Sequence, residues 1–175
     1  MRIVAGEFGG RRIRAPRSAW VRPTSDRVRE ALFSILGDIE ELRALDLFCG
    51  TGALGIEALS RGAGHSTFVD TQIGTVSRNV GGFDVGERSR IVRADARRFL
   101  ERDGGEYDLV FCDPPYRLAR RFGPELDSPL DARLATDARV IVETGTDAPM
   151  ELTIPLIDER RYGATLIRIH AGNRG

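Results

Sequence analysis

From Arg43 onward, short apolar runs alternate with stretches of helical character, and that alternation leaves the chain few architectures to choose from. The runs are Ala44–Phe48, Ser66–Val69, Arg90–Arg93, Tyr107–Cys112 and Arg139–Glu143. Helical stretches separate them at Ala53–Arg61, from Thr71 to Asn79, through Leu100, and irregularly to about Ala135. Such a pattern predicts an α/β fold with a mostly parallel sheet and helices on both faces. Leu109-Val110-Phe111 and Val140-Ile141-Val142 lack polar alternation, as strands covered on both faces do. The last two runs, Met150–Leu156 and Ala164–His170, leave no room for a helix between them and are expected to pair as an antiparallel hairpin. Residues 71–88 form the weakest helical stretch, because Gly74, Thr75, Val76, Gly81, Gly82 and Gly86 are poor helix formers.

At 175 residues, residues 1–175 are expected to form a single domain with one core. No apolar run approaches the length of a membrane span and no charged-then-apolar leader precedes the body, so a soluble cytoplasmic protein is expected. Cys49 and Cys112 each end a buried strand, where a thiol behaves as a small hydrophobe; they are close together if those strands are neighbours. No second pair completes a metal site, and His65 and His170 show no partner pattern, so no metal is expected.

All 26 basic residues are arginine, balanced by 26 acids. Residues 1–29 hold eight arginines against Glu7 and Asp26, which leaves +6 there and −6 elsewhere. Arg2–Phe8 and Arg11–Arg14 read as two short strands joined at Gly9-Gly10, so residues 1–21 are expected to form a basic N-terminal β-hairpin extension. Local potential of that kind suits phosphate, although an ordinary solvated arginine face has the same composition. Ser25 or Thr24 can then cap a helix with Val28, Ala31, Leu32, Ile35 and Leu36 on one face, and Gly37 would end it.

Asp46-Leu47-Phe48-Cys49-Gly50-Thr51-Gly52-Ala53-Leu54-Gly55 leaves the first core strand and enters a helix, as a nucleotide-binding loop does. Gly50-x-Gly52-x-x-Gly55 satisfies the dinucleotide fingerprint, with Asp70 placed where a ribose-binding acid belongs, so a nicotinamide oxidoreductase is a fair rival. Asp46 argues against it. A carboxylate there would repel a pyrophosphate but orient a cationic amino-acid group. S-adenosylmethionine carries that group, a ribose diol suited to Asp70 and an adenine amine suited to Asp95. Asp70 and Asp95 could equally cap the helices that follow them. Four acids at the carboxyl ends of four successive strands, with the glycine loop on the first, carry more weight than any one alone.

The fourth strand ends in Asp113-Pro114-Pro115-Tyr116. Two prolines leave the loop few shapes and hold an acceptor and an aromatic face in fixed relation. An exocyclic amine on a nucleobase is a poor nucleophile because its lone pair is delocalised into the ring. Asp113 and the Pro114 carbonyl could accept its protons and localise that pair, while Tyr116 stacks on the base.

With these residues the chain resembles class I methyltransferases, and more narrowly the RsmD family. The resemblance rests on Met1-Arg2-Ile3-Val4-Ala5-Gly6, Arg22-Pro23-Thr24-Ser25-Asp26-Arg27-Val28-Arg29-Glu30-Ala31-Leu32-Phe33, the stretch from Asp46 to Ala63, and Asp113-Pro114-Pro115-Tyr116. It implies a Rossmann-like sheet of seven strands and methylation of a guanine N2 in small-subunit (16S) ribosomal RNA, free or within an assembling subunit. It also implies that Arg22-Pro23-Thr24 lies at the methionine end of the cofactor. The candidate cofactor-binding residues are therefore Arg22, Thr24, Asp46, Phe48, Gly50, Gly52, Asp70, Asp95 and Ala96, and the candidate catalytic residues are Asp113, Pro114, Pro115 and Tyr116. RNA is expected on Arg2, Arg11, Arg12, Arg14, Arg117, Arg120 and Arg121. An amino-methyltransferase acting on N6 of adenine in DNA or RNA is the nearest alternative, and an RNA-binding protein without activity a more distant one.

Overall fold

The computed structural model describes residues 1–15 and 25–172. Five strands, β1 (Arg43–Leu47), β2 (His65–Asp70), β3 (Ser89–Arg93), β4 (Tyr107–Cys112) and β5 (Leu134–Gly145), run parallel. They are joined by α2 (Ala53–Ser60), α3 (Gly74–Val80), α4 (Ala96–Arg102) and α5 (Ala119–Asp131). The strands β6 (Leu156–Tyr162) and β7 (Thr165–Ala171) complete a seven-stranded sheet in the order β3-β2-β1-β4-β5-β7-β6, with β7 antiparallel to both neighbours. Before β1, α1 (Asp26–Leu36) starts at Ser25, whose hydroxyl accepts the Val28 N–H, and stops at Gly37, whose φ of 68° suits glycine.

Period-two alternation sorts the strands' side chains to two layers. Leu45, Leu47, Val110, Cys112, Val140 and Val142 pack under α4 and α5 through Phe99, Leu100, Leu126 and Leu130. On the opposite face Ala44, Leu109, Phe111 and Ile141 meet Leu32, Phe33 and Leu36 of α1 with Leu54 and Ala58 of α2. The central strands β1 and β4 and the middle of β5 are thus buried on both sides, which is why Leu109-Val110-Phe111 and Val140-Ile141-Val142 read as unbroken apolar runs. The chain proceeds from β1 outward to β2 and β3, then returns to β4 on the other flank of β1. Loops leaving β1 and β4 therefore diverge, and the crevice between them lies at the sheet's carboxyl edge.

Three expectations need correction. The two N-terminal arms pair with each other, the Ile3 N–H donating to the Arg11 carbonyl at 2.9 Å and the Ile13 N–H to the Met1 carbonyl at 3.1 Å, but as one antiparallel bridge, Arg2 with Arg12, rather than as two regular strands. The backbone N–H groups of Val4 and Ala5 go instead to the buried Glu57 carboxylate of α2 at 2.7 and 3.0 Å, and Gly6 turns the chain at φ 80°. A side chain at Gly6 would overlap the Ser60 carbonyl, its Cβ lying 1.8 Å from that oxygen. Ile3, Phe8 and Ile13 are buried against α2 and α3, so residues 1–15 are packed onto the body rather than extended from it.

The penultimate strand is Leu156–Tyr162, not Met150–Leu156. Met150 and Ile154 are apolar because they sit beneath α5, whereas β6 lies at the sheet edge, mostly exposed, and reads as a charged segment. Finally, β5 begins at Leu134 rather than Arg139, and residues 71–88 hold the seven-residue α3 followed by a 3₁₀ turn at Gly86–Arg88. No helix among the described residues is long and apolar enough to cross a membrane.

Candidate active site

A cleft of about 1040 Å³ opens at the carboxyl ends of β1, β2, β3 and β4. Asp46, Asp70, Asp95 and Asp113 line it, one from each strand end, together with Phe48, Gly50, Ala96, Pro114, Pro115, Tyr116 and Arg117. The sequence had marked every one of these. Gly52 sits behind the loop at φ 78°, where a Cβ would come within 2.7 Å of Val76, so its role is close packing. Arg22 and Thr24 lie outside the described residues.

Each acid of the rim has a defined local duty. Asp46, 2% exposed, accepts the Gly55 N–H at 3.0 Å. Asp70 accepts the Gly50 N–H at 2.9 Å on one oxygen and the Gln72 N–H at 2.9 Å on the other, which ties the glycine loop to the end of β2. Asp95 caps α4 by accepting the Arg98 N–H at 3.2 Å. The helix-capping reading of Asp95 thus holds, and the same residue faces the cleft. Gly50 has φ 52°, and a Cβ there would find no heavy atom nearer than 3.9 Å, so backbone is bare to a ligand at this point. Phe48 is held at φ 57° with its ring 4.9 Å from that of Phe122, an apolar shelf formed by the loop after β1 and by α5. A phenylalanine in left-handed backbone costs energy that a functional loop retains when its surroundings fix it.

The catalytic candidates lie across from this rim. Parallel pairing places Cys112 beside Val142, so Asp113, just past the end of β4, stands beside Glu143 within β5. Burial, then the neighbouring Glu143 and Asp46, raise the Asp113 carboxyl well above the ordinary carboxylate range. Burial likewise pushes Asp46 up to about 8, a rise that the Gly55 N–H opposes and Asp70 reinforces. A positive charge placed beside these carboxyls would favour their ionised forms. Pro115 accepts the Leu118 N–H at 2.8 Å, closing a turn that presents Tyr116, and the Tyr116 ring lies against Gly145, where a Cβ would be 3.3 Å from it.

Residues that the sequence reading did not single out complete the walls: Met1, Thr51, Thr71, Ala94, Leu118 and Phe122. Asn79, which the sequence reading placed only at the end of a helical stretch, is 4% exposed and acts as a clamp. Its amide donates to the carbonyls of Thr51 and Arg14 at 2.9 and 3.1 Å and accepts the Arg14 N–H at 2.9 Å, joining the glycine loop to the N-terminal segment. Cys49 and Cys112 are buried free thiols, and burial pushes both of their pKa values upward.

Most of the expected RNA-binding arginines lie away from the cleft and several have internal partners. Arg2 pairs with Asp26 at 3.1 Å, and Arg121 with Glu125 at 2.8 Å. Arg120 donates to the Asp147 carbonyl at 2.6 Å. Arg11 donates to the Gly82 carbonyl at 2.5 Å with its guanidinium 4.4 Å from the Phe83 ring centre. Arg12 and Arg14 are exposed, and Arg117 opens on the cleft mouth.

The sequence matches the family described as conserved hypothetical protein 95 over residues 1–171. This chain belongs to that family, the RsmD family. Within it, the chain is 40% identical over 121 residues to the ribosomal RNA small subunit methyltransferase D of Escherichia coli K12, a match covering 67% of this chain and 61% of that protein. A putative rRNA methyltransferase of Bacillus subtilis, YlbH, is 40% identical over 125 residues, covering 67% of each. The solved structure of the putative methyltransferase yhhF from Escherichia coli superposes with a TM-score of 0.86 at 32% identity, covering 100% of this chain and 99% of that one. The RsmD-family chain thus has the class I methyltransferase fold.

Proposed function

We propose that this protein transfers a methyl group from S-adenosylmethionine to the exocyclic N2 amine of a guanine in small-subunit ribosomal RNA, in the cytoplasm where that RNA is assembled. One observation carries the reading: the Asp113-Pro114-Pro115-Tyr116 turn and the acidic rim of Asp46, Asp70 and Asp95 face one cleft. The names of the family's relatives supply the substrate class.

The residues present suit this cofactor. An ammonium beside Asp46 would draw its carboxyl into the ionised form, bare backbone at Gly50 admits close approach, and the Phe48–Phe122 shelf offers an aromatic surface to adenine. When bound, S-adenosylmethionine supplies an electrophilic methyl on a sulfonium. Asp113 and the Pro114 carbonyl would accept the protons of the target amine, and Tyr116 would stack on a guanine turned out of its helix. Alignment of the two reactants is then the main contribution to rate, with Asp113 orienting the amine and stabilising the charge that develops on it.

The nicotinamide reading loses support on the same geometry. A pyrophosphate needs free amides at the glycine loop and helix start. Here Gly50 N–H is taken by the Asp70 carboxylate and Gly55 N–H by that of Asp46. An anion would meet two acids where it requires donors.

The test is transfer of labelled methyl to unmethylated small-subunit RNA, free and protein-bound, followed by nucleoside analysis. N2-methylguanosine is the expected product, lost in Asp113→Ala while cofactor binding persists. N6-methyladenosine would replace the substrate assignment and retain the mechanism. Absence of transfer to RNA or DNA by a protein that binds the cofactor would refute the proposal.

A further inference from the structure

We propose that the groove between edge strand β3 and helix α4 is a track for nucleic-acid phosphates, leading away from the catalytic cleft. The inference rests on the nucleic-acid reading above and adds to it a surface on the flank of the sheet opposite the Tyr116 turn. The groove encloses about 580 Å³ and shares Ala94 and Asp95 with the cleft, so a strand whose base occupies the cleft has a continuous path into it.

Four arginines line it: Arg90, Arg93, Arg98 and Arg102. Its two acids are engaged internally. Asp103 takes Arg90 at 2.8 Å, the Tyr107 hydroxyl at 2.8 Å and the Gly105 N–H at 3.0 Å, and Asp95 takes the Arg98 backbone N–H. Arg90 is further fixed with its guanidinium 5.7 Å from the centre of the Phe99 ring. Arg93, Arg98 and Arg102 are exposed, and their guanidinium groups have no hydrogen-bond or ion-pair partner among the described residues. Arg98 and Arg102 stand one turn apart on α4 and so project from one face. In a protein of zero net charge, attraction of phosphate depends on such local, unneutralised guanidiniums. Several of the arginines that the sequence suggested for this task are already bound elsewhere on the protein.

A competing role is protection of the open β3 edge, where charged side chains discourage strand pairing between molecules. The two roles differ in what substitution does. Arg98→Gln/Arg102→Gln removes two charges at this groove. Arg160→Gln/Arg161→Gln removes two at β6, the opposite edge of the sheet. Binding of a small-subunit RNA fragment is measured by titration at several salt concentrations, beside cofactor binding by thermal shift. Loss of two phosphate contacts should make the log–log salt slope shallower by about 1.4 and weaken binding at low salt at least roughly fivefold. The β6 pair should change neither quantity, and Arg98→Lys/Arg102→Lys should restore both.

RNA affinity and slope unchanged in Arg98→Gln/Arg102→Gln would overturn the track, and self-association of that variant alone would assign the arginines to edge protection. A wild-type protein that binds neither RNA nor DNA would also overturn it. Binding that depends on Arg98 and Arg102, without methyl transfer by the wild type, would sustain the track and refute the enzymatic reading.

Discussion

Replacing Asp46 by Asn should flatten the pH dependence of stability, because the cleft holds this carboxyl in its protonated form. Asp46 is buried, and burial pushes its pKa up to about 8 from the ordinary 3.8. Between those values the native state keeps a proton that the unfolded chain has released, so stability falls as pH rises through the window. The contribution is complete below the unfolded value and is lost above about pH 8. Integrating over the part accessible to assay, about pH 5.5 to 7.5, gives a loss of roughly 2.5 kcal/mol from this group. For a chain of this size that is on the order of 5–10 °C in melting temperature. Asn preserves a carbonyl acceptor for the Gly55 N–H and does not titrate.

Asp113 has a raised pKa in the same direction, so the informative quantity is the difference between wild type and Asp46→Asn measured across pH by calorimetry. The wild type should lose stability faster as pH rises. Saturating S-adenosylmethionine should reduce that difference, since an ammonium beside Asp46 favours the carboxylate. A melting-temperature difference constant to within about 1 °C over the window would refute the reasoning.

Gly55→Ala should destabilise the protein by about 1–3 kcal/mol in urea unfolding, since the new Cβ would lie 2.4 Å from the Phe68 ring and 2.6 Å from the Ser66 hydroxyl. Asn79→Ala would strip partners from the Arg14 and Thr51 backbone and should cost on the order of 2–3 kcal/mol. The loosened glycine loop should raise KM for the cofactor more than it lowers kcat. Arg11→Gln should lower the melting temperature while leaving the salt slope of RNA binding nearly unchanged, because its guanidinium is already bonded to Gly82 and stacked on Phe83.

Burial on two faces made the fold legible. Strand β4 appears in sequence with the boundaries it has in the structure, because every residue from Leu109 to Cys112 is buried and apolar. The hairpin of β6 and β7 failed at β6 for the complementary reason: Leu156-Ile157-Asp158-Glu159-Arg160-Arg161-Tyr162 is an edge strand facing water, and its hydrogen bonds leave no hydrophobic trace. At the N terminus the pairing of the two arms was legible and their docking onto the body was not. Glycines at 6, 9 and 10 suit a hairpin turn, yet Val4 and Ala5 hydrogen-bond to Glu57, more than fifty residues away, and local reading has no access to a partner at that distance.

The site divides along the same line. Backbone placement at strand ends is a local property, so Asp46, Asp70, Asp95 and Asp113 were found together. What an ionised side chain is bonded to is not local. Eight arginines among residues 1–29 suggested a basic arm, but Arg29 is fully buried, with its guanidinium on the Arg2 carbonyl and Asp26, while Arg2 itself holds the same Asp26. A count of charges weighs these groups equally with Arg93, Arg98 and Arg102, whose sequence surroundings look ordinary. Attraction of a phosphate depends on guanidiniums whose desolvation and pairing are still to be gained, and a guanidinium already paired must first give up a bond of similar strength. The net positive stretch of sequence and the surface able to hold an anion therefore need not coincide, and in this protein three uncommitted guanidiniums, those of Arg93, Arg98 and Arg102, gather in the groove beside β3.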